Sequence, residues 1–305
     1  MTLASVLLFS TTHATGAFVQ LVQATSSGET TATTISSGNF TATVTTGDLL
    51  YCVGDFDGQT SSTSLPTSIP LTDTLGNSFT VIKALQDNTN KFETEIAYAK
   101  NITGGAADSV TATYNGTGLN SFYKGIACVE YSGLSTTAPF VSGEDNGNSQ
   151  RPAPGSGTPN GVTSNATPTL ASQPAIVIGF SSILHSTNGP PTAGAGYTAR
   201  GGPFWQFGTG TNFALFEDKR VTSTSADTAT FTAPTSSTDN FDTYVVVFHE
   251  PAGASCTHVG ITSAGAIAVP DGSSGSYQGK TGSFVTPDCS TVNYKQPTVG
   301  NFGVN

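Results

Sequence analysis

Leu49-Leu50-Tyr51-Cys52-Val53, inside the longer stretch Asp48 to Phe56, is a short apolar run bounded by turn-forming residues. It is too short for a buried helix and rich in strand formers, so it is a β-strand. A second stretch answers it in the other half of the chain: Leu50-Tyr51-Cys52-Val53-Gly54 matches Ala175-Ile176-Val177-Ile178-Gly179. Three more matches follow in the same order. Gly76-Asn77-Ser78-Phe79-Thr80 pairs with Gly194-Ala195-Gly196-Tyr197-Thr198, Asp108 to Tyr114 with Asp227 to Phe231, and Ala127-Cys128-Val129 with Val245-Val246-Val247. The chain is built from two similar halves, about 17–140 and 165–250. A second half of about 85 residues buries its apolar faces poorly alone, so the halves are expected to share one core.

Further strand-like runs extend this pattern: Phe18 to Gln23, Thr31 to Ile35, Phe40 to Thr45, Phe79 to Leu85, Glu93 to Lys100 and Phe122 to Tyr131. In the second half come Tyr197 to Arg200, Phe204 to Phe207, Phe213 to Val221 and Tyr244 to His249. Gly, Asn, Asp and Pro fill the gaps, and no window sustains a 3.6-residue period. The spacing predicts an all-β protein, an antiparallel, jelly-roll-like β-sandwich. Composition agrees: 34 Ser and 50 Thr stand among 305 residues, while charged residues make up 10%. Thr suits a half-exposed pleated surface, and helix-forming Glu, Lys and Arg are scarce.

The net charge of −10 includes no basic cluster beyond Lys219-Arg220, which Glu217-Asp218 precede. Phosphate backbones need clustered positive charge, so nucleic acid is excluded as a partner. No apolar run approaches the ~20 residues of a membrane span. The run Leu3-Ala4-Ser5-Val6-Leu7-Leu8-Phe9 lacks a basic flank and is expected to be a strand within an N-terminal extension, residues 1–16. Leu3, Val6 and Leu8 are its candidate assembly contacts. Residues 251–305 form a Gly/Ser-rich appendage to the 17–250 sandwich, and Ser142 to Pro168 is expected to be a long surface loop.

The candidate chemistry is sparse. Cys52 and Cys128 lie in apolar runs and are expected to be small core residues. Cys256 and Cys289, in the tail, are the disulfide candidates. Asp55 and Asp57 before Gly58, and Glu144 and Asp145 before Asn146-Gly147, are oxygen-rich enough to be weak calcium candidates, but turns are the preferred reading of both. No zinc spacing, GxSxG elbow or paired-histidine motif occurs, so neither a cofactor nor catalysis is expected. Glu93 with Glu95, and Glu217 with Lys219, each share one strand face, expected to be solvated or salt-bridged. Trp205, in Phe204-Trp205-Gln206-Phe207, is the glycan-stacking candidate.

Ala97-Tyr98-Ala99-Lys100-Asn101-Ile102, followed by Glu130-Tyr131-Ser132-Gly133 and Ala214 to Val221, resembles a loosely defined family of Ser/Thr-rich β-sandwich modules of bacterial extracellular proteins and phage-like sequences. The resemblance covers roughly residues 17–250, and its motifs carry no catalytic residue. Together these readings point to a non-catalytic, self-associating structural subunit outside the cell or on a virion, such as a surface filament or a tail component. The alternatives are a carbohydrate-binding or adhesin module and, third, a glycan-active enzyme.

Overall fold

The computed structural model describes residues 20–29, 32–58, 64–88, 91–119, 122–150, 160–172, 174–184, 190–204, 213–233, 240–251, 294–295 and 303–304. The chain divides into two units, Phe18–Ala252 and a second made of Met1–Ala17 with Gly253–Asn305. In the second unit the described residues are two short antiparallel strands, Tyr294–Lys295 and Gly303–Val304.

The first unit is all β among the described residues. The first half contributes β1 (Gln20–Glu29), β2 (Thr34–Ser36), β3 (Leu49–Asp57), β4 (Leu71–Asp73), β5 (Thr80–Asp87), β6 (Phe92–Lys100), β7 (Val110–Thr113) and β8 (Tyr123–Ser132). The second contributes β9 (Asp145–Gln150), β10 (Asn160–Thr163), β11 (Ala175–Leu184), β12 (Thr192–Ala193), β13 (Thr198–Phe204), β14 (Phe213–Val221), β15 (Thr230–Ala233) and β16 (Asn240–His249). Each half pairs its strands into a five-stranded and a three-stranded antiparallel sheet. The orders are β1-β8-β3-β6-β5 with β2-β7-β4, and β13-β14-β11-β16-β9 with β10-β15-β12. Adding eight to every label of the first half gives the second, so one plan is used twice. The chain passes repeatedly between the two sheets of its half, which is jelly-roll connectivity.

β9 and β10 arise from the stretch expected to be a loop, so the second half has eight strands. Asp145-Asn146-Gly147-Asn148-Ser149-Gln150 escapes a hydrophobic pattern because it is an edge strand held mainly by its ladder to β16. The repeat also needs one change of register. Cys52 pairs with Cys128 and Val177 with Val247, which aligns Ala127-Cys128-Val129 with Val246-Val247-Phe248. A one-residue slip would turn every side chain to the wrong face.

Three apolar cores fill four layers. Leu50, Cys52, Phe56 and Cys128 pack under the first half's small sheet with Ile35, Val110 and Ala112. Val177, Val245 and Val247 pack under the second half's small sheet with Val162 and Phe231. Between the two large sheets, Leu49, Tyr51, Val53, Tyr98 and Tyr131 meet Ile176, Ile178, Phe180, Phe216 and Phe248. Each half therefore has a core of its own, and both contribute to a central one. All nine residues of β3 are buried. Its alternate side chains enter different cores, which is why the sequence shows a continuous apolar run instead of an alternating one.

The large-sheet edges are irregular or capped. Register shifts interrupt β1 at Leu21/Gln23, β5 at Val81/Lys83 and β13 at Arg200/Phe204. On β9, the Gly147 carbonyl accepts from Asn165 Nδ2 at 2.8 Å. Bulges and caps of this kind discourage edge-to-edge pairing.

Candidate functional site

Three groups of buried polar residues stand out among the described residues. One lies at the end of the central core, where the large sheets face each other. Asp55 and Asp57 belong to the body of β3, both 3% exposed, and do not form a turn. Asp55 accepts from Thr94 Oγ1 at 2.9 Å and from Ser182 Oγ at 2.8 Å, and Thr94 Oγ1 also lies 3.3 Å from Asp242 Oδ2. One hydroxyl hydrogen serves only one acceptor at a time. Burial pushes the Asp55 carboxyl well above the ordinary carboxylate range. The two hydroxyls oppose this, and the Asp242 and Asp57 charges add to it.

A second group holds the loops that lead into β3 and β11. Glu144 and Asp145 diverge: Asp145 accepts from the Tyr244 hydroxyl, whereas Glu144 accepts from the Ala171 N–H and contacts His249 Nε2. His249 Nδ1 lies 2.9 Å from Ser172 Oγ. His249 and Glu144 are buried while Ser172 is exposed. With Nε2–H donated to the carboxylate, Nδ1 accepts the hydroxyl hydrogen. Such a hydroxyl–imidazole–carboxylate chain is the arrangement that activates a nucleophile.

The first half carries the same arrangement with different chemistry. Glu130 stands at the position of His249; it accepts from the Thr45 N–H at 2.8 Å and from Gln23 Nε2 at 2.5 Å. Thr45 and Ala171 occupy corresponding loop positions, so the shared task is to anchor this loop, and no nucleophile is needed for it. The sequence does not announce His249, because its partners lie 105 and 77 residues away with no fixed spacing.

The third group joins the two sheets of each half. Glu95 and Glu217 sit at equivalent points of β6 and β14, opposite Gly54 and Gly179. Both carboxylates point into the outer cores, contrary to the expected solvated face. Glu95 accepts from the Ile69 N–H at 3.1 Å; Glu217 accepts from the Gly194 N–H at 2.8 Å and the Thr230 N–H at 2.9 Å. Opposite Glu217 only glycine fits: a Cβ on Gly179 would lie 2.8 Å from Glu217 Cγ. A glycine interrupting an apolar strand was the available sequence signal. Glu93 is likewise buried, and burial pushes its carboxyl to about 7, against a Gln86 hydrogen bond and with the Glu95 charge.

Cys52 and Cys128 are not free core thiols. They are joined by a disulfide between adjacent strands, fully buried. Cys256, Cys289, Trp205, Leu3, Val6 and Leu8 lie outside the described residues. Among the described residues, no group of three His, Cys, Asp or Glu side chains is placed to hold a metal ion, and the four calcium candidates are not brought together. No helix among them is long and apolar enough to cross a membrane. No family model, curated protein or solved structure matches the chain.

Proposed function

We propose that the chain is a non-catalytic structural subunit of an extracellular assembly, a surface filament or a component of a virion surface or tail. The observation that carries this reading is the use of the buried carboxylates. Glu95, Glu130, Glu144 and Glu217 each accept a backbone N–H from another strand or loop, so ionisable groups that could serve chemistry serve rigidity. Jelly rolls recur in viral capsid and lectin domains, an analogy of fold alone. The buried disulfide favours an oxidising compartment. Because the large-sheet edges are bulged or capped, contacts between subunits fall to the chain ends, with residues 3–9 and the tail from Pro251 as connectors.

The test is assembly of the purified full chain, followed by electron microscopy and light scattering, beside versions lacking residues 1–12 or 252–305. Regular polymers from the full chain and smaller particles from at least one truncation are expected. A full chain that stays monomeric at high concentration, or truncations that both assemble like it, would overturn the reading.

A further inference from the structure

One polar chain crosses the central core from half to half. Asp55 and Thr94 belong to the first half, Ser182 and Asp242 to the second, and all four are buried. Ser182 Oγ donates to Asp55 Oδ2 at 2.8 Å. Thr94 Oγ1 lies between the two acids, 2.9 Å from Asp55 Oδ1 and 3.3 Å from Asp242 Oδ2. The fold does not require acids here. Where Asp55 pairs with Thr94, the other half pairs Phe180 with Phe216, whose ring centres are 5.1 Å apart. Likewise Tyr123 stands opposite Asp57 where Asp242 stands opposite Ser182. The same molecule thus fills the equivalent place with aromatic rings, which cost no buried charge.

Thr94 has one hydroxyl hydrogen for two carboxylate oxygens. With both acids ionised, one of them faces a lone pair and a like charge inside the core, which is costly. With one proton on Asp55, each contact is a hydrogen bond: Asp55 donates to Thr94, Thr94 to Asp242, and Ser182 to Asp55. Burial, which pushes the Asp55 carboxyl up, agrees with this count. The other titratable groups on the facing surfaces are Asp57 on β3, Tyr123 on β8, Lys83 and Asp87 on β5, and Tyr244 of β16, which donates to Asp145 of β9. On β14 the residue opposite Ser182 is Ala214, and Asp218 further along is paired with Arg200.

We propose that this hydroxyl-bridged pair of acids carries one proton and is a pH-sensitive joint between the two halves, closed while the proton is held and loosened when it leaves. The proton is lost to solvent, and the two carboxylates then compete for the single Thr94 hydrogen across the seam between the large sheets. A carboxyl held protonated by the fold stabilises it at low pH, and that contribution is lost as pH rises through its raised value. The proposal does not depend on the assembly reading.

Amide hydrogen exchange of the full chain is followed from about pH 6 to pH 9 and corrected for intrinsic rates. Protection of the amides around Asp55 and Ser182 is expected to fall by up to roughly tenfold per pH unit, the slope of one proton. Asp55→Asn imitates the protonated acid, since its amide donates to Thr94 and its oxygen accepts from Ser182. Its protection is expected to fall less steeply by that factor and to exceed that of the parent at pH 9. Protection around Asp55 and Ser182 that does not change with pH, or an equal slope in Asp55→Asn, overturns the proposal. Should Asp55→Asn fail to fold, the parent decides by position. A fall confined to this end of the core supports the joint, and an equal fall around Leu49 and Ile176, at the other end, overturns it.

Discussion

Glu217 and Glu95 do the same job unequally: Glu217 satisfies two backbone donors and Glu95 one. Removing the carboxylate strands those N–H groups in an apolar core, at about 1–3 kcal/mol each. Glu217→Ala is therefore expected to destabilise the protein by about 3 kcal/mol and Glu95→Ala by about 2 kcal/mol. Urea unfolding of the two variants checks the order, and equal losses would contradict the staple. The disulfide is the other strong single-residue term. It joins residues 76 apart, so replacing both cysteines with Ala is expected to lower stability by about 4 kcal/mol through the freed unfolded chain. Calorimetry against the oxidised parent measures that loss.

At the scale of strands, close approach decides which residues are allowed. β11 passes so near its neighbours that a Cβ on Gly179 would lie 2.7 Å from Ala229 Cβ, an atom that cannot rotate away. On β3, a Cβ on Gly54 would meet Ile69 Cγ2 at 2.8 Å, the end of a branch that can shift. Gly179→Ala is expected to cost about 3 kcal/mol and Gly54→Ala about 1 kcal/mol, the two ends of the overpacking range. Denaturation midpoints will show whether the two substitutions differ in this order. The serine that completes each small sheet repeats in the same way. Ser37 and Ser164 each give their N–H to a carbonyl at the head of the facing strand and take that residue's N–H on the hydroxyl: Val110, which opens β7, in one half, and Ala229, just before β15, in the other.

At the scale of the whole molecule, the buried acids set the response to pH. Glu93, Glu217 and Asp48 are each pushed to about 7, chiefly by burial, with the Glu130 hydrogen bond and charge adding at Asp48. Their ordinary values are 4.5 and 3.8, so between about 4.5 and 7 the folded chain holds more protons than the unfolded one. Their contribution to stability is thus complete below that window and is lost as pH rises through 7. The denaturation midpoint is expected to be higher at pH 5 than at pH 8, and Glu217→Gln should flatten the difference. A midpoint that climbs steadily from pH 5 to 8 would show that other groups dominate. The central core makes the two halves interdependent, since its apolar face is completed only when both large sheets meet.

The class of fold and its duplication were legible in local chemistry. Short Thr-rich and apolar runs separated by Gly, Asn and Pro allow little besides antiparallel strands. Leu50 to Gly54 and Ala175 to Gly179 repeat because the same position in each half demands the same mix of two apolar faces and one close approach. What the sequence could not decide is which distant residues meet. β9 carries no hydrophobic signal because an edge strand needs little of its own core. Cys52 and Cys128 look like any small core residues until adjacent strands bring their Cα atoms within 4.1 Å. Glu95 and Glu217 look like a solvated face until a second sheet covers them. Pairing, burial and charge compensation are non-local: each depends on chain segments tens of residues apart, and only the packed sheets specify them.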